Sequence, residues 1–104
     1  LNKAQKAVEL YSKMLKENKK DPYGLLGLAK AYYAAKDFTA AETMVKQARH
    51  IDPSINDIYH VECIIFYQMK MFAEAKNSCE EFIKRAPDDA NAVEVKDIIS
   101  KISN

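Results

Sequence analysis

The chain has 104 residues, enough for one small domain that buries roughly two-thirds of its surface on folding. Sixteen Lys and Arg against fifteen Asp and Glu leave a formal charge of +1, so no global field draws in nucleic acid or an anionic membrane. Two Gly and three Pro are too few for a turn-rich sandwich or barrel, and two Cys are too few for a disulfide scaffold.

In chain order, the spacing predicts a first helix over 2–18 with Ala4, Ala7, Val8, Tyr11, Met14 and Leu15 on one face. The second runs over 22–35, where Leu25, Leu28, Ala29 and Tyr32 recur at three- and four-residue steps. Asp21 can cap it, and Pro22 takes the first helical position, where a missing N–H costs nothing. The third is predicted to start at Thr39, whose spacing to Glu42 is that of a capping box, and to end at Pro53. Ala41, Met44, Val45 and Ala48 form its stripe. The next two helices fall at 56–69 and 72–85, closed by Pro87. Asp88 and Asp89 can cap a last one over 90–102, with Val95, Ile98, Ile99 and Ile102 on one side. No strand is predicted. The longest apolar stretch is broken by Glu62 and Gln68, which excludes a transmembrane helix. No signal peptide is visible, and the chain, opening on Leu1 in a helical pattern, reads as a piece of a longer protein.

The helices repeat. Pro53 and Pro87 are 34 residues apart, and the same step separates Ala7, Ala41 and Ala75. Tyr11, Val45 and Cys79 follow it, as do Met14, Ala48 and Phe82. Leu25 overlays Tyr59, Tyr32 overlays Phe66, and Phe38 overlays Phe72.

A 34-residue helical pair with Leu25, Leu28, Ala29, Tyr32, Ala41, Val45, Ala48 and Pro53 resembles the tetratricopeptide repeat. Tyr59, Cys63, Phe66, Ala75, Cys79, Phe82 and Pro87 carry the pattern again. The resemblance implies an all-α fold, a helical-repeat superhelix of antiparallel helix pairs. Residues 1–21 become the second helix of a truncated repeat, 22–55 and 56–89 two full repeats, and 90–104 a C-terminal capping helix. Three departures stand out. Glu62 takes a site where the family prefers Leu, so a buried acid is paired there or the packing differs. Lys36 and Lys70 take the turn site usually filled by Gly, at a cost of about 1–2 kcal/mol each. The truncated repeat leaves one side of helix 2–18 uncovered, a site for self-association.

Candidate chemistry is sparse. No Ser-His-Asp grouping, Gly-rich phosphate loop or His-Glu metal helix occurs, so the chain is not read as an enzyme and no cofactor is expected. His60, Cys63 and Cys79 would need a fourth ligand to hold a metal. Cys63 and Cys79 overlay Ala29 and Val45, which makes them two buried core thiols; a disulfide between them is geometrically conceivable, since these positions face each other in the repeat. Lys16, Lys19, Lys20 and Lys46 are interleaved with acids and lack a stacking platform, so no nucleic acid is expected.

What remains is a surface. In the family, first helices of successive repeats line a concave face that holds peptides. The resemblance places Tyr23, Leu26, Lys30 and Tyr33 there from one repeat, Asp57, His60, Ile64 and Tyr67 from the next, and Glu94 from the last helix. Helix 56–69 is apolar almost all round, either as a buried central helix or as a groove for a peptide or a second copy. Relatives that clamp a chaperone's C-terminal carboxylate use Lys and Asn at set positions. Here those sites hold Leu26, Gly27, Lys30, Asp57 and Val61; only Lys30 has a suitable charge, so the clamp is not encoded. The function expected is protein–protein interaction, with a peptide or helical segment carrying apolar anchors on the concave face. The alternatives are a scaffold that self-assembles through its repeat ends and the repeat part of a larger enzyme or complex. No membrane insertion is expected, and a cytoplasmic location is favoured.

Overall fold

The computed structural model describes residues 2–103. All regular structure among them is helical: α1 (Lys3–Glu17), α2 (Pro22–Ala34), α3 (Phe38–Ile51), α4 (Asn56–Gln68), α5 (Phe72–Arg85) and α6 (Ala92–Ser103). They form two compact units that divide between Ser54 and Ile55.

In the first unit, α1 opens on a capping box that the sequence pattern did not single out. Asn2 Oδ1 accepts from the Gln5 N–H at 2.8 Å, and Gln5 Oε1 accepts from the Asn2 N–H at 3.2 Å. Asp21 caps α2 as expected, accepting from the Tyr23 N–H at 3.0 Å, with Pro22 in the first turn. The cap of α3 differs from expectation. Asp37 Oδ1 accepts from the Ala40 N–H at 3.2 Å, so the helix begins at Phe38, and Thr39 already lies inside its first turn. A residue inside the helix cannot serve as its own N-cap, and the Thr39–Glu42 box therefore does not form.

The expected stripes of α2 and α3 bury in large part, but none of the α1 residues is buried, and Met14, expected on the packed face, is exposed. Leu25, Leu28 and Ala29 of α2 are buried, as are Ala41, Val45 and Ala48 of α3. Alanines here let the two helix backbones approach closely. α1 packs on α2 across two glycines. A Cβ on Gly24 would stand 3.2 Å from Leu15 Cδ2, and one on Gly27 would overlap the Tyr11 ring. Close approach at these two points is what seats α1. Its other side is uncovered: Leu10 is 58% and Met14 45% exposed.

The second unit centres on α4, with Ile58, Tyr59, Val61, Cys63 and Ile65 buried, packed on α5 through Ala75, Cys79 and Phe82. Burying side chains such as Ile58, Ile65 and Phe82 contributes about 1.5–3 kcal/mol each. α6 lays Ala92, Val95 and Ile98 on this core. It starts two residues later than expected because Asp89 folds an Asx turn, accepting from the Asn91 N–H at 2.8 Å.

The expectation of two core thiols needs correction. Cys63 and Cys79 are fully buried core residues, but they are joined as a disulfide linking α4 to α5. Equivalent positions in the other repeat, Ala29 of α2 and Val45 of α3, are also buried, and in α4 and α5 the two cysteines stand with Cα atoms 4.8 Å apart, within bonding reach. With both sulfurs committed, neither is available to a metal. Glu62 is only 4% exposed, and its Oε1 accepts from the Ser78 hydroxyl of α5 at 3.2 Å. Of the two readings of this acid, the paired one holds.

Candidate functional site

In the first unit, Tyr23 and Lys30 are exposed on α2, while Tyr33 is half-buried with its ring 5.5 Å from that of Phe38. Leu26 differs from the others. At 4% exposure it belongs to the core and offers a partner no accessible surface. Gly27 is likewise taken, since it lies beneath Tyr11 of α1.

In the second unit, steps of three and four residues set Asp57, His60, Ile64 and Tyr67 along one face of α4. All four are half-buried. The Tyr67 ring lies 6.0 Å from Phe72, repeating the Tyr33–Phe38 pair one repeat later. Three of the expected residues meet directly. His60 Nε2 is 2.8 Å from Glu94 Oε1 on α6, and His60 Nδ1 is 3.5 Å from Asp57 Oδ1. The first is a charge-assisted hydrogen bond. The second is an electrostatic contact whose alignment leaves Nδ1, a buried nitrogen, without a hydrogen bond. Burial by itself lowers the imidazolium pKa, but the nearby Asp57 carboxylate and the hydrogen bond and charge of Glu94 outweigh it and hold the His60 pKa above its ordinary value.

Spacing also held a signal for this meeting. Leu26, His60 and Glu94 are successive members of one 34-residue series, so Glu94 takes on α6 the register that His60 takes on α4. Elsewhere in this unit Arg85 lies over the Tyr59 ring, 4.3 Å from its centroid, with its Nε donating to Glu81 at 2.7 Å. Among the described residues, no group of His, Cys, Asp and Glu is arranged to hold a metal ion, and no helix is long and apolar enough to cross a membrane.

The Tyr33–Phe38 and Tyr67–Phe72 ring pairs recur at a step of 34 residues, the mark of a helical-repeat protein. A sequence model of the tetratricopeptide repeat matches residues 1–60, more than half of the chain. The chain belongs to the tetratricopeptide repeat family. Its fold is similar to that of solved tetratricopeptide repeat domains. The first such domain of Spaghetti (RPAP3), bound to the HSP90 peptide SRMEEVD, superposes with a TM-score of 0.88 at 24% identity, over 97% of this chain and 78% of that one. The first domain of human RPAP3 gives 0.87 at 24% identity, over 97% and 77%. The TPR2B domain of yeast Sti1, in a complex with pHsp70, gives 0.86 at 21% identity, over 96% and 82%. Among curated proteins, none matches the sequence.

Proposed function

We propose that this tetratricopeptide repeat chain is a protein-interaction module that binds a peptide or helical segment of another protein through its first helices. The observation that carries the reading is its likeness to the Spaghetti (RPAP3) domain, whose structure holds an HSP90 peptide. Support comes from each unit separately. α2 offers Tyr23, Lys30 and Tyr33; α4 offers Ile64 and Tyr67 beside the Asp57–His60–Glu94 group. Tyrosines bring rigid amphipathic area of the kind that anchors interfaces, and the segment they fit carries at least two apolar side chains.

The chemistry of that segment differs from a chain ending in a carboxylate. Where such a clamp needs cations and amides, this chain has one exposed cation, Lys30, beside a buried Leu26, Gly27 under an aromatic ring, Asp57 and a buried Val61. Asp57 repels a carboxylate. Calorimetric titration with a peptide selected from a random display library tests the proposal. Tyr33→Ala and Ile64→Ala are each expected to weaken binding by about 1–2 kcal/mol, the lower range of interface hot spots. Unchanged affinity in both variants rejects the first helices as the site.

A second reading, self-assembly, is favoured by one observation: the exposed Leu10 and Met14 on α1. Light scattering on the native chain and on Leu10→Glu tests it, and a monomer at high concentration counts against it. The disulfide bears on compartment. Such bonds are rare in reducing cytosol, so a cytoplasmic location requires the Cys63–Cys79 pair to be held as thiols there.

A further inference from the structure

The two ring nitrogens of His60 both face carboxylates, Glu94 Oε1 at 2.8 Å from Nε2 and Asp57 Oδ1 at 3.5 Å from Nδ1. A neutral imidazole carries a single N–H. The neutral Nε2–H tautomer keeps the Glu94 hydrogen bond but turns the Nδ1 lone pair toward Asp57, and the other tautomer loses the Glu94 bond. Only the imidazolium places a positive charge between the two acids. The imidazole is 12% exposed, while Glu94 and Asp57 keep 57% and 36% of their side chains exposed, so water screens the mismatch in part.

α4 packs against α5 and α6. From α6 the group facing the imidazole is Glu94, and from its own helix it is Asp57. From α5 it is the uncharged Phe82 ring, 5.5 Å away. The nearby charges of α5 are engaged elsewhere, Arg85 over Tyr59 and with Glu81. On α6, Lys101 pairs with Asp97 at 3.0 Å. The apolar side of α6, Ala92, Val95 and Ile98, is buried, while Glu94 on its exposed side reaches α4 through the imidazole. That polar link joins two helices whose direct contact is otherwise small.

We propose that Asp57, His60 and Glu94 form a proton-operated clasp that fastens α6 to α4, closed when His60 is protonated and slackened when it is neutral. The clasp stands without the partner-binding reading. If that reading also holds, the clasp regulates the same face, because its three residues lie among the expected contact positions. The pKa of His60, held above its ordinary value by the carboxylates despite burial, agrees in direction. A pKa raised in the folded state means that the stabilisation is fully present below about pH 6.5 and is lost as pH rises through the folded value.

The test is an NMR titration of the histidine ring protons in the full chain, read together with amide-exchange protection of α6. His50→Gln identifies the His60 resonance. The expected result is a His60 midpoint above about 6.5, with α6 protection factors falling on passing to alkaline pH by up to tenfold for each unit of excess. Protection in α2 and α3 stays flat. In Glu94→Gln the midpoint drops and the pH dependence of α6 protection shrinks. Glu94 is exposed, so this variant leaves the core intact. His60→Gln keeps a donor for Glu94 and abolishes the pH response of α6. A wild-type midpoint at or below about 6.5 overturns the proposal. So does a raised midpoint with α6 protection independent of pH.

Discussion

Lys36 and Lys70, one repeat apart, hold the same left-handed backbone conformation, with φ of 63° and 61°. Each follows a helix end closed by a Schellman motif. The Lys36 N–H donates to the Tyr33 carbonyl and the Asp37 N–H to that of Tyr32, both at 2.9 Å. The Lys70 and Met71 N–H groups do the same to Tyr67 and Phe66, at 3.1 and 2.9 Å. The sequence placed a non-glycine residue at this site, and the hydrogen bonds compel it to adopt the turn regardless. Replacing either lysine with glycine removes the Cβ strain at a smaller entropic cost, so Lys36→Gly and Lys70→Gly should each stabilise by ~1 kcal/mol. Urea unfolding is the measurement.

The seat of α1 on α2 is narrow. Adding a methyl at Gly27 drives it into the Tyr11 ring, which must move for α1 to stay docked. Gly27→Ala is expected to destabilise by ~1–3 kcal/mol despite the higher helix propensity of alanine. In the Tyr11→Ala background the same change should cost little. Equal costs in both backgrounds would mean that the ring is not the obstacle.

Glu62 and Ser78 form a buried polar contact between α4 and α5. Ser78→Ala withdraws a donor from a buried acceptor, an expected cost of ~1–2 kcal/mol in thermal or urea melts. With Leu at position 62 no acceptor is left wanting, and the Ser78→Ala cost should vanish. A double-mutant cycle measures the difference directly.

The Cys63–Cys79 bond closes a loop across sixteen residues of sequence. On the chain-entropy estimate, reduction lowers the unfolding free energy by roughly 3 kcal/mol. Melts with and without a phosphine reductant should differ by that amount, and Cys63→Ala should be insensitive to reductant. A thiol count in denaturant without reductant is expected to find none; two titrating thiols would return the pair to ordinary core cysteines.

Much of this architecture is legible in the sequence because it rests on period and spacing. The stripes Leu25–Leu28–Ala29 and Ala41–Val45–Ala48 repeat at a fixed step, and each is buried where the step puts it. Local competition was harder to read. Asp37 captures the cap from Thr39 because it stands just outside the helix, and Asp89 folds an Asx turn before α6 begins. The meeting of His60 with Glu94 shows in the sequence only as the 34-residue step between them. The burial of Leu26 depends on how helices pack, which periodicity within one helix does not encode. Neither does it encode whether two facing cysteines are joined.

The most direct test of partner binding through the first helices is an amide chemical-shift map of the labelled chain on addition of the display-selected peptide. The largest perturbations are expected on α2 around Lys30 and Tyr33 and on α4 around Ile64 and Tyr67. α3 and α5 should change least. Perturbations confined to α1, around Leu10 and Met14, with α2 and α4 silent, would contradict the proposal.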